Sequence, residues 1–86
     1  MIRIEDRIEA TAAALLASVR DNDLTITGDH RVSESDAAAL LAYAPKYLAQ
    51  MRQEGRGPRC FKIGMNGSRI SYRLSDLACW IENSGE

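Results

Sequence analysis

Apolar residues recur at Ile4, Ile8, Leu15, Leu16 and Val19, with Ala12 between them, while Glu5, Asp6, Arg7, Glu9 and Arg20 occupy the remaining positions. That 3.6-residue period predicts an amphipathic helix from about Ile4 to Arg20, and the alanine-rich stretch adds propensity. Asp21-Asn22-Asp23 ends it. The stripe must be covered, either by the rest of the domain or by the same helix of a second chain. Leu24–Thr27 then alternates apolar and polar residues, as a short strand or an extended linker does, and Gly28-Asp29-His30 breaks the pattern.

A second set of helical signals follows. Ser33 with Asp36 three residues on resembles a capping box, with Asp in place of the usual Glu or Gln. Ala37, Leu40 and Leu41 repeat at i, i+3 and i+4, which predicts a helix from Glu34 to about Ala42. Tyr43-Ala44 reads as a short turn. Pro45 suits the first position of a new helix, where the missing N–H has no partner to lose. Leu48 and Met51 form its buried stripe, and Gly55 marks its end. Two short helices joined by a tight turn have helix-turn-helix spacing.

Beyond the loop Arg56-Gly57-Pro58 the period changes from 3.6 to 2. "RCFKI" and "SRISYR" are short alternating segments around "GMNG", and Asn66-Gly67 predicts a hairpin because both residues tolerate the positive φ of a primed turn. Phe61, Ile63, Ile70 and Tyr72 are expected to face the core, and Lys62, Arg69, Ser71 and Arg73 to face outward. Ser75 is expected to cap a last helix, with Leu77, Trp80 and Ile81 on its buried side.

Charge changes this picture from a fold into a candidate interface. The 86-residue chain has a net charge of -1, yet the segment from Pro45 to Arg73 carries seven bases against the single acid Glu54, a local balance of +6. The flanking segments are acidic. A polyanion-binding protein needs one basic face, not a basic chain. The length allows one small domain, read as an N-terminal helix and linker over 1–31 and a DNA-binding domain over 32–86. Cys60 and Cys79 read as reduced, buried thiols. One histidine, His30, and the lack of CxxC or HExxH patterns give no zinc site, no catalytic triad and no cofactor site, so no enzyme is expected. The apolar run Ala10–Val19 is about half the roughly 20 residues a bilayer requires, and no cleavage site follows it. A soluble, cytoplasmic protein with no membrane partner is the expectation.

In a helix-turn-helix the second helix enters the major groove and its first residues reach base edges. Here the outward face of that helix would show Pro45, Lys46, Ala49, Gln50 and Gln53, with Arg52 on its flank near phosphate. Lysine can donate to guanine, and glutamine can bond adenine through two hydrogen bonds. The hairpin would stand alongside as a wing. Arg56, Arg59, Lys62, Arg69 and Arg73 would meet the phosphates, and Asn66 and Ser68 lie at its tip.

The stretch "SESDAAALLAYAPKYLAQMRQEGRGPRCFKIGMNGSRISYRLSDLACWIE" resembles the small excisionase-like and AlpA-like winged helix-turn-helix domains of the MerR superfamily. The match covers about 50 residues. It rests on "AAALL" before the turn, "EGRGP" after the second helix, the "FKIG…RISYR" hairpin and the closing "SDLACWIE". The resemblance implies a recognition helix at Pro45–Gln53 and a wing at Cys60–Tyr72. It also implies double-stranded DNA as partner, and a role as a phage- or plasmid-type excision factor or small transcriptional regulator. A homodimer or a cooperative array on DNA, and an integrase or other recombination protein, are further partners of that reading. Ala44 stands where many relatives place a Ser or Thr cap, and Ala49 and Gln50 replace bulkier or charged residues. The expected fold is therefore α+β and mostly helical: a winged helix-turn-helix with an extra N-terminal amphipathic helix. The rival readings are a protein-interaction module that keeps this fold without binding DNA, and a DNA-recognition domain of the small-terminase type.

Overall fold

The computed structural model describes residues 2–67 and 69–84. They form four α-helices and a three-stranded antiparallel sheet: α1 (Ile4–Asp21), β1 (Arg31–Ser33), α2 (Glu34–Leu40), α3 (Pro45–Gln53), β2 (Phe61–Ile63), β3 (Arg69–Arg73) and α4 (Leu74–Ser84). The strand order is β1-β3-β2. A 3₁₀ turn at Met65–Gly67 connects β2 to β3. No helix among the described residues is long and apolar enough to cross a membrane.

Three helices stop by the same device. Each ends in a Schellman motif, in which the residue after the cap takes left-handed backbone and two amide N–H groups turn back to the last carbonyls. In α1 the left-handed residue is Asp23 (φ 54°), with Asp23 N–H bonded to Arg20 O and Leu24 N–H to Val19 O. In α3 it is Gly55 (φ 75°), with Gly55 N–H to Arg52 O and Arg56 N–H to Met51 O. In α2 it is Ala42 (φ 59°), with Ala42 N–H to Ala39 O and Tyr43 N–H to Ala38 O. Helix α2 therefore ends at Leu40, two residues earlier than its apolar repeat suggests, and an alanine holds a conformation that its Cβ disfavours.

The starts of the helices differ. Ser33 accepts a hydrogen bond from Asp36 N–H at 3.2 Å, the cap expected from its spacing. Pro45 occupies the first turn of α3, while Ala44 supplies no side-chain bond at the cap. Helix α4 begins at Leu74, directly after β3, so Ser75 lies inside the first turn and is not the cap. The Leu74 N–H is satisfied instead by His30 O at 2.8 Å, from a turn in which His30 itself has φ 64°.

Strand β1 carried no signal in the sequence; it is three residues long and follows a turn. It pairs with β3 through Arg31↔Arg73, Val32↔Tyr72 and Ser33↔Ser71. Leu24–Thr27 is not a strand. It is tied to β1 by Thr27 N–H to Arg31 O, and by Arg31 N–H to the Thr27 hydroxyl.

The core joins every major element except β2: Leu15 and Val19 from α1, Val32 from β1, Ala37 and Ala38 from α2, Leu48 and Met51 from α3, Tyr72 from β3, and Leu74, Leu77 and Ala78 from α4. Helix α1 packs mainly on α4. There Arg7 Nε and the Thr11 hydroxyl donate to Glu82 at 3.0 and 2.7 Å. The α1 stripe is thus covered within the chain from Ile8 onward, while Ile4 stays exposed, and β1 straddles the expected boundary at 31/32. Trp80 and Ile81 pack at the edge of the core, half-buried, and Cys79 is exposed, contrary to the expectation of a buried thiol.

The hairpin register keeps the expected faces of β3 but overturns those of β2. The strands pair as Phe61↔Ser71, Lys62↔Ile70 and Ile63↔Arg69. Residues directly across from one another share a face. Phe61, Ile63, Arg69, Ser71 and Arg73 therefore lie on the outer face, and Lys62 lies on the side of Ile70 and Tyr72. A two-residue Asn66-Gly67 loop would have set Phe61 across from Tyr72. The loop that forms is longer, with the Gly67 N–H bonded to Gly64 O at 3.1 Å, and the register moves by one residue.

Candidate nucleic-acid interface

Helix α3 is amphipathic on a small scale. Leu48 and Met51 are buried, Ala49 is half-buried, and Pro45, Lys46, Tyr47, Gln50 and Gln53 are exposed. No acid lies in its first turn. Tyr47 is 46% exposed and meets Tyr43 edge-on, with ring centroids 5.2 Å apart. Tyr47 is not among the expected contact residues of this helix. Its place in the first turn beside Lys46 is the signal that marks it as part of the exposed face. At the other end Gln50 Nε2 and the Arg56 guanidinium both donate to Glu54, at 3.2 Å and at 2.6–3.0 Å. The bonds from Arg56 and then Gln50 hold the Glu54 carboxyl below its ordinary value.

The structure sorts the seven bases of the +6 segment into two groups. Arg52, Arg56 and Arg73 are engaged inside the molecule. Arg52 Nε and Nη2 donate to Glu34 at 2.7 and 3.3 Å, and the Tyr72 hydroxyl donates to the same carboxylate at 2.9 Å. This joint ties the start of α2 to the end of α3 and to β3. Burial alone would raise the Glu34 carboxyl, but the bonds from Arg52 and Tyr72 outweigh it and leave it below its ordinary value. Burial, and then Glu34, push the Tyr72 phenol well above its own. Arg52, expected beside phosphate, is thus a structural residue; its fork is filled by a carboxylate.

Arg73 belongs to a cluster on the outer face of the sheet. Asp29 accepts from the Thr27 hydroxyl at 2.6 Å, from Arg31 Nε at 2.9 Å and from Arg73 Nη2 at 3.2 Å. The Thr27 bond first, then Arg31, hold its carboxyl well below the usual carboxylate range. Phe61 lies beneath: the guanidinium carbons of Arg73, Arg31 and Arg59 are 4.8, 5.3 and 5.9 Å from its ring centroid. These distances suit cation–π attraction, which explains how an aromatic ring tolerates the outer face.

Lys46, Arg59, Lys62 and Arg69 form the second group. All four are exposed, and none has a carboxylate partner among the described residues. Lys46 begins α3, Arg59 leads into β2, and Lys62 and Arg69 flank the hairpin tip on its two opposite faces. Asn66 is exposed at the tip with φ 59°. Ser68, the other residue assigned to the tip, lies outside the described residues. Among the described residues no group of His, Cys, Asp or Glu could hold a metal ion. No protein-family model, curated protein or solved structure matches the chain.

Proposed function

We propose that this chain is a double-stranded DNA-binding protein of winged helix-turn-helix type, acting as an excision factor or small transcriptional regulator. Helix α3 is the reader. Lys46, Tyr47, Gln50 and Gln53 meet base edges in the major groove, with Pro45 and Ala49 lining the same face. The β2–β3 hairpin is the wing, and Arg59, Lys62 and Arg69 neutralise phosphates. Arg56 and Arg73 stand behind them, each already sharing a carboxylate.

The observation that carries this reading is the division of the cations. A surface stripe with no purpose would pair its arginines and lysines at random with local acids. Here Arg52 and Arg73 bridge elements far apart in the chain, and Arg56 pairs with its neighbour Glu54. The unbonded ones lie along one helix start and one ribbon, on a chain whose other segments are acidic.

Selection of bound duplexes from a random pool, followed by titration at several salt concentrations, tests it. Three phosphate contacts predict a slope of log K against log[salt] of about -2.7, or roughly a 40-fold loss of affinity from 50 to 200 mM salt. Arg69→Ala should weaken binding to every duplex alike and reduce the slope by about 0.9. Lys46→Ala should cost roughly 1–3 kcal/mol of preference for the selected site. A flat salt response, or no retention of any duplex, would assign the same surface to a protein partner.

A further inference from the structure

We infer that Met65 is an apolar wedge that the hairpin tip presses into a minor groove, unstacking a base step and bending the duplex. This rests on the DNA-binding reading and specifies how the wing is used.

Met65 is the most exposed large apolar side chain among the described residues, at 85%, and Ile63 on the adjoining strand is 47% exposed. Its position is held. Gly64, Asn66 and Gly67 take φ values of 93°, 59° and 66° around it, and Gly67 N–H bonds back to Gly64 O. Gly67 also packs so closely on the preceding strand that an added Cβ would lie 3.3 Å from Lys62 Cβ. A turn this compact, with an unbranched thioether at its apex, presents apolar volume that the free protein does not bury. Methionine adapts to irregular gaps, and apolar side chains of this kind enter base steps in minor-groove binders.

The register supplies the second argument. Lys62 and Arg69 project from opposite faces of the ribbon, just behind the tip. A flat protein surface would engage only one of those faces. A minor groove has phosphates on both walls, so a tip inserted between them turns one cation to each strand. The inversion of faces that removes Lys62 from the outer surface is what fits the ribbon to a two-walled groove.

The test uses the full chain and a duplex recovered by selection, end-labelled with a dye pair and carrying 2-aminopurine at successive steps in separate versions. Wild type should shorten the end-to-end distance by a bend within roughly 20–90° and brighten 2-aminopurine at one step. Met65→Ala and Met65→Gln should still bind, with an unchanged salt slope, but lose both signals; Met65→Leu should keep them. Because Met65 is exposed, the variants should match wild type in circular dichroism. Wild-type binding with neither bend nor brightening, or a Met65→Ala variant that bends DNA as wild type does, overturns the wedge and leaves DNA binding standing. Failure of wild type to bind any duplex overturns both.

Discussion

Glu34 bears three hydrogen bonds at the joint between α2, α3 and β3, so removing it is the sharpest test of what holds these three elements together. Glu34→Ala deletes two bonds from Arg52 and one from Tyr72, leaving a guanidinium and a phenol without their acceptor. Breaking a fully buried ion pair costs about 3–5 kcal/mol. The Arg52 and Glu34 side chains are 19% and 20% exposed, so water can reach part of the vacated site. The loss should therefore be nearer about 2–3 kcal/mol. With a urea m-value of about 1 kcal/mol/M for a domain this small, the midpoint should fall by about 2–3 M at constant m. Glu34→Gln keeps an acceptor but no charge and should cost about 1 kcal/mol.

Acid titration gives an independent check. The folded Glu34 carboxyl is depressed below its ordinary 4.5, so its contribution is present above that pH and is lost as pH falls through the folded value. The stability difference between wild type and Glu34→Gln should be constant at neutral pH and shrink below about pH 4.5. Asp29, whose carboxyl is also depressed, titrates in both proteins and cancels from that difference. A Glu34→Ala protein within about 0.5 kcal/mol of wild type, the scatter of ordinary surface substitutions, would refute the joint and return Arg52 to the candidate interface.

Two further substitutions probe the turn between α2 and α3. Ala42→Gly should stabilise the domain by about 0.5–1 kcal/mol in urea or thermal unfolding, since relief of the left-handed Cβ strain outweighs the greater freedom of glycine in the unfolded chain. Ala44→Ser should add about 1 kcal/mol, because Ala44 already has the extended backbone of a helix cap (φ -65°, ψ 139°) and lacks only a side-chain acceptor.

The elements that were legible in the sequence are those specified by neighbours along the chain. Helix α1 follows from its apolar period, α3 from Pro45 and Gly55, the Ser33 cap from a three-residue spacing, and the hairpin turn from Asn66 and Gly67. Each of these signals acts within one or two turns of helix or one loop. The misread features depend on residues far apart in sequence. Arg52 and Glu34 are 18 positions apart and Tyr72 and Glu34 are 38, so no local pattern distinguishes a scaffold arginine from a phosphate-seeking one. Likewise β1 exists because Val32 finds Tyr72 across the sheet; three residues after a turn have too short a period to announce a strand.

The division between sequence and tertiary structure is clearest at the hairpin. The chain alone determined that two alternating segments flank a turn, and that most of the protein's cations gather in the Pro45–Arg73 segment that includes it. Which way each side chain points was left to the register, because a strand's period is 2 and one residue of loop length exchanges its faces. Packing decided it: Ile70 and Tyr72 turn to the core, Phe61 goes outward beneath three arginines, and Lys62 and Arg69 part to opposite sides of the ribbon.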